Sequence, residues 1–217
     1  MDAVVFDLDG VLVDSETVWD EVRQAFATAH GGTWTPAATR AMQGMSTPEW
    51  GAYLVEEVGV RLSPEDAAAG VIEEMDRRYE AGPPVLPQAV DVVRAVAARW
   101  PVAIASSSPP SLIEAFLHAT DLTGVVPVAV SSEAAGAGKP APDVYLLACA
   151  RLGVEPTRSA AVEDSTNGLR AALAAGMAVY AVPNPHFPPA PEVLAEVTVL
   201  RGLPDLLPAL TLTRPGE

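Results

Sequence analysis

The chain has 217 residues, a formal net charge of −15, 49% hydrophobic and 19% charged residues. This length buries one sizeable core, or a core with a small second domain, and the composition excludes a disordered chain. The negative charge argues against nucleic acid or an anionic membrane surface as partner; a small phosphorylated ligand stays compatible where a bound cation reverses the local field.

The first predicted element is a strand, Ala3 to Leu8, with the length and β-branched content of a buried strand. It runs into Asp7-Leu8-Asp9-Gly10, and Gly10 allows a sharp turn. Ligands of open α/β sheets sit beyond the carboxyl ends of the strands, which puts Asp7 and Asp9 at one small site. Taken alone, Asp-x-Asp-Gly also reads as a simple turn.

From Ser15 to Ala81 the pattern is helical. One helix is predicted from Glu16 to His30, capped by Asp14 or Ser15, with Val18, Val22, Ala25, Phe26 and Ala29 as its apolar stripe. A short helix opens at Thr35-Pro36 and is broken by Gly44. Two more open at Thr47-Pro48 and Ser63-Pro64, each with a hydroxyl cap before proline. From Val85 the chain alternates. Helices are predicted over 88–99, 111–120, 143–152 and 167–175, and strands over 101–105, 125–130, 159–162, 177–182 and 197–199. Such alternation predicts a parallel sheet with right-handed crossovers. The expected fold is α/β, a Rossmann-like core made of residues 1–14 and 84–217, with an all-helical cap domain, 15–83, inserted after the first strand. The proline-rich stretch 184–191 reads as a stiff loop and the tail from Thr211 as frayed.

Three further polar clusters fall at predicted strand ends on the same edge as Asp7. Ser106, Ser107 and Ser108 offer hydroxyls and N–H groups suited to phosphate oxygens, or to a plain helix cap. Gly138-Lys139-Pro140 holds the only lysine of the chain, a point charge suited to a phosphoryl group. Glu163 and Asp164 end another strand, where the pair also reads as a plain helix cap; Asp164 with Asp7 and one backbone carbonyl forms the hard-oxygen set that Mg²⁺ prefers. The single cysteine, Cys149, reads as a small core residue, and no zinc pattern is present. No stretch has the character of a signal peptide or membrane span, so a cytoplasmic location is expected.

These elements in this order resemble the haloacid dehalogenase superfamily, in the branch with a helical cap that contains β-phosphoglucomutases, hexose-phosphate phosphatases and phosphoglycolate phosphatases. The resemblance rests on Phe6-Asp7-Leu8-Asp9-Gly10-Val11-Leu12, Ala105-Ser106, Gly138-Lys139-Pro140 and Val162-Glu163-Asp164-Ser165 with Asn167-Gly168. It implies that Asp7 is the nucleophile, forming an aspartyl-phosphate, and that Asp9 is the acid and then the base. It implies that Ser106 and Lys139 hold non-bridging oxygens, and that Asp7, the Asp9 carbonyl, Glu163 and Asp164 bind Mg²⁺. Asp9 favours phosphoryl transfer over dehalogenation, since halide leaves without a proton. The cap has Trp19, Gln43 and Thr47 where the mutases carry a histidine, a lysine and an arginine, and it has no lysine for a Schiff base. Expected substrate contacts are Ser107, Ser108, Glu16, Trp19, Gln43 and Met45, with packing as the other reading of Trp19 and Met45. The implied activity is Mg²⁺-dependent hydrolysis of small phosphorylated metabolites, sugar or polyol phosphates, by a monomer. The alternatives are a phosphosugar mutase and a phosphosugar-binding protein without turnover.

Overall fold

The structure, a computed structural model, describes residues 1–42, 45–184 and 187–212. Its strands are β1 (Val4–Phe6), β2 (Val102–Ser106), β3 (Val128–Ser131), β4 (Ala160–Glu163), β5 (Ala178–Ala181) and β6 (Thr198–Val199). Among the described residues they form one wholly parallel sheet in the order β3-β2-β1-β4-β5-β6. The order reverses beside β1, where Phe6 pairs with Ile104 on one side and Val162 on the other. That reversal opens a crevice at the carboxyl ends of β1 and β4.

Between β1 and β2 the chain forms α1 (Glu16–Ala29), α2 (Pro36–Ala41), α3 (Thr47–Glu56), α4 (Pro64–Glu80) and α5 (Ala89–Ala97). Later come α6 (Pro110–Ala119), α7 (Asp143–Leu152), α8 (Thr166–Ala174), α9 (Pro191–Leu194) and α10 (Leu206–Leu212). Side chains alternate across the strands, so the sheet has two covered faces. Val4, Phe6, Ile104 and Val162 pack with Val93 and Val96 of α5, Phe116 of α6 and Leu206 of α10. Val5, Ala103, Ala105 and Ala161 face Tyr145, Ala148 and Cys149 of α7 and Leu169 and Ala172 of α8. The many alanines let α7 and α8 approach the second face closely.

The helices α1 to α4 build a separate apolar cluster around Trp50, Leu54, Val71 and Met75, and Leu112 of α6 completes it. This helical cap leaves and rejoins the sheet at one seam. The Asp14 N–H donates to the Pro84 carbonyl (2.8 Å), the Leu86 N–H donates to the Leu12 carbonyl (2.9 Å), and Val13 bridges Val85.

Three details depart from expectation. The inward face of α1 is Trp19, Val22 and Ala27, whereas Ala25 and Ala29 are exposed. A buried indole outweighs two alanines, so the helix turns to seat Trp19 edge-on to Trp50, centroids 6.1 Å apart. Ser15 stands before α1 without capping it; its hydroxyl donates instead to Asp9. A helix, α10, lies where no element is predicted and takes in Thr211 and Leu212 of the tail expected to fray, with Leu206 and Leu210 buried. Among the described residues no helix is long and apolar enough to cross a membrane.

Candidate active site

Asp7 follows β1 directly, and its N–H donates to the Val162 carbonyl (2.9 Å), which fixes it opposite the end of β4. Its Oδ1 accepts from the Leu8 N–H (2.8 Å) and from Lys139 Nζ (2.9 Å). The lysine is buried, lies after the loop that follows β3, and also donates to Glu163 Oε1 (2.7 Å). Burial works against its charge, yet the two carboxylates hold its pKa above the ordinary lysine value.

Glu163 has no exposed surface. Its Oε1 also accepts from the Tyr145 hydroxyl (2.7 Å), and its Oε2 accepts from the N–H groups of Asp164 (3.0 Å) and Ser165 (3.2 Å). Burial would raise this carboxyl, but the charge and hydrogen bond of Lys139, with the Tyr145 bond, hold it below its usual value. Gly168 in the first turn of α8 leaves room for it, since a Cβ there would overlap the carboxylate.

Asp164 is buried beside Glu163, and its Oδ1 has no hydrogen-bond partner. Burial, then the charge of Glu163, pushes both Asp7 and Asp164 well above the ordinary carboxylate value. Carboxylate oxygens of Asp7, Glu163 and Asp164 lie within 4.8 Å of one another. The turn after Asp9 brings Gly10 (φ 76°) against Asp164, where a Cβ would overlap the carboxylate. An orphaned buried oxygen, a set of hard oxygens and excess negative charge fit a small divalent cation. Asp7 and Asp164 would hold it. Glu163 is already engaged by Lys139, Tyr145 and two N–H groups.

Asp9 sits between the sheet and the cap. Its Oδ1 accepts from the Ser15 hydroxyl and from Trp19 Nε1 (3.1 Å), both from the cap side. Its Oδ2 accepts from Ser108 Oγ (2.5 Å) and Ser106 Oγ (3.3 Å), just past and at the end of β2. Ser106 is wholly buried behind Asp9 and receives the Ser108 N–H (2.9 Å), so it is Ser107 and Ser108 that face the cavity.

That cavity, about 40 Å³, lies between sheet edge and cap. Asp7, Asp9, Lys139 and Asp164 line it from the sheet; Glu16, Trp19 and Met45 line it from the cap. Gln43 lies outside the described residues. Sequence reasoning missed Met42, Trp50, Ser165 and above all Arg23, which also line the cavity. Arg23 follows Trp19 by four residues, the spacing that puts two side chains on one helix face. Its guanidinium lies 4.6 Å from the Trp19 ring centre and 4.9 Å from that of Trp50. Burial lowers its pKa to about 10, against the pull of Glu16, Asp9 and Asp20.

The arrangement offers a buried carboxylate, a second carboxyl two residues on, an ammonium, and a pair of carboxylates that could hold a cation. Residues 1–176 match the family of haloacid dehalogenase-like hydrolases. A phosphorylated carbohydrates phosphatase of Thermotoga maritima is 32% identical, covering 82% of each chain. Hexitol phosphatase B of Escherichia coli is 32% identical over 90% of each chain. Among solved structures, a HAD family hydrolase of Deinococcus radiodurans with bound phosphate and sodium is 30% identical, with a TM-score of 0.69 over 98% of this chain and 96% of that one.

Proposed function

Because the chain belongs to the haloacid dehalogenase-like hydrolases and is a phosphoric monoester hydrolase, we propose that it hydrolyses small sugar or polyol phosphates through an aspartyl-phosphate on Asp7, with Mg²⁺ as the metal. One observation supports this reading: the Asp7 and Asp9 carboxyls, two residues apart, line a cavity together with Lys139 and Asp164, whose Oδ1 has no partner.

Lys139 fixes Oδ1 of Asp7, which orients the other oxygen for attack on phosphorus in line with the leaving oxygen. Lys139 and Ser107 neutralise and hold the non-bridging oxygens, the main demand of a loose phosphoryl transfer. Asp9 gives its proton to the departing alkoxide, then takes one from the water that attacks the acyl phosphate. Ser15, Trp19, Ser106 and Ser108 fix the Asp9 carboxyl for both steps. A divalent cation held by Asp7 and Asp164, with the Asp9 carbonyl, supplies charge neutralisation for the transferring group. The cap excludes bulk water, and the small cavity means that it stands further off while a sugar phosphate enters.

The test is phosphate release from a panel of phosphosugars, glycerol phosphate and phosphoglycolate, with Mg²⁺, with EDTA, and with Asp7→Asn. Metal-dependent release that vanishes in the variant supports the reading. Tight substrate binding by metal-replete protein without turnover would overturn it.

A further inference from the structure

Arg23 is the only cationic side chain that lines the cavity from the cap, among the described residues. It rests against two indoles, and its Nε is buried with no acceptor. A buried donor left unpaired is costly in the free protein; Arg23 lines the cavity, and its Nε, itself without exposed surface, meets an acceptor there once the cap stands off for the substrate. The neighbouring wall is apolar: Trp19, Trp50, Met42 and Met45 offer flat or pliable surface to the C–H face of a bound molecule.

Charge decides what kind of acceptor fits. With Asp9 carrying the proton it is to donate, three charged acids line the cavity, Asp7, Glu16 and Asp164, and Glu163 against Lys139 makes a fourth, opposite two bases, Arg23 and Lys139. A divalent cation brings that set to neutrality, and the phosphoryl dianion then makes the site negative. No counter-charge is left for a second anion, and Glu16 stands on the cap side where that anion would lie. An uncharged oxygen meets no such barrier.

We propose that Arg23 is the specificity-determining residue of the cap: its Nε donates to a hydroxyl oxygen of an uncharged polyhydroxyl leaving group, and the cavity's charge balance turns away leaving groups carrying a carboxylate or a second phosphate. This rests on the phosphatase reading and deepens it by naming the chemical class of the leaving group.

Steady-state kinetics of the full chain with Mg²⁺ test it on three substrates: a hexitol phosphate, phosphoglycolate, and p-nitrophenyl phosphate, whose leaving group has no hydroxyls beyond the reacting oxygen. In the wild type, kcat/KM for the hexitol phosphate exceeds that for phosphoglycolate. Arg23→Met lowers kcat/KM for the hexitol phosphate by about 10- to 100-fold, the worth of one buried hydrogen bond and its orphaned partner. The loss on p-nitrophenyl phosphate is at least about ten-fold smaller. Arg23→Lys, which keeps charge without the planar donor, recovers only part. Glu16→Gln narrows the gap between hexitol phosphate and phosphoglycolate, a readout that stands even where Arg23→Met does not fold. Equal losses on all substrates in Arg23→Met would mean that Arg23 only packs the cap, and overturn the inference. A wild-type preference for phosphoglycolate that Arg23→Met removes would overturn it too, assigning the guanidinium to a carboxylate. Wild-type silence on all three, p-nitrophenyl phosphate included, sinks the phosphatase reading itself; activity on p-nitrophenyl phosphate without a hexitol preference sinks only this inference.

Discussion

The two walls of the cavity are built on different principles. On the sheet side, Asp7, Lys139, Glu163 and Asp164 are almost wholly buried and charged, and each sits just past a strand or is braced by one that does. On the cap side the wall is indole, thioether, one guanidinium and the Glu16 carboxylate, presented by helices that reach the sheet side through α6, the seam and the hydrogen bonds of Ser15 and Trp19 to Asp9. The first wall is held by parallel register, which tolerates no partial displacement. The second is held by apolar packing, which can shift and repack. The sheet wall is therefore suited to invariant phosphoryl chemistry, and the cap wall to graded selection among leaving groups.

If that division is right, changes on the sheet wall act close to all-or-none. Asp7→Asn removes the proposed nucleophile, and kcat for phosphate release falls by roughly a thousand-fold or more. Lys139→Met leaves two buried carboxylates facing each other without a cation. Urea unfolding of that variant shows a loss of about 3–5 kcal/mol, the cost of breaking one side of a buried ion pair. Metal removal comes next. EDTA abolishes turnover, and Mg²⁺ at a hundred-fold over its dissociation constant raises wild-type stability by about 2.7 kcal/mol. Asp164→Asn removes most of that gain, while its metal-free form melts above the metal-free wild type because an orphaned buried charge is gone. The smallest effect belongs to the cap. Trp19→Phe deletes the N–H that reaches Asp9, and kcat falls by about three- to ten-fold, in keeping with one hydrogen bond of roughly 1 kcal/mol. Should Trp19→Phe silence the enzyme as fully as Asp7→Asn does, the distinction between the two walls collapses.

The same contrast explains what could be read from the chain. Asp7, Ser106 and Glu163-Asp164 were legible because each follows a short apolar run, and a parallel sheet delivers all such ends to one edge; Lys139 was legible as the chain's only lysine, after the loop that follows β3. β2 and β4 each reach one residue further than expected, to Ser106 and Glu163, without moving those side chains off the edge. Side-chain partnerships were not legible. Nothing in the sequence of α7 marks Tyr145 as the donor to Glu163, and nothing in a serine run says that Ser106 backs Asp9 while Ser107 and Ser108 face the cavity. The cap was hardest. Its helices are plain in the pattern, but which stripe of α1 turns inward depends on where Trp50 of α3 stands, a tertiary fact. Of the stripe Val18, Val22, Ala25, Phe26 and Ala29, the alanines turn outward, and counting them inward hid Arg23. α10 escaped notice because Pro208 interrupts its apolar pattern, although proline is accommodated within a first helical turn.

The seam at Val13 and Val85 has a consequence for how such a chain can be remade. Departure and return lie side by side, joined by two hydrogen bonds, so the sheet's wiring does not depend on what is spliced between them. A short linker from Asp14 to Pro84 would close the backbone without changing any strand's neighbour, leaving Leu112 of α6 as the chief surface to be re-covered. The cap is thus a transplantable cassette: helices from another source, grafted at that junction, would inherit the phosphoryl-transfer floor and bring their own choice of leaving group.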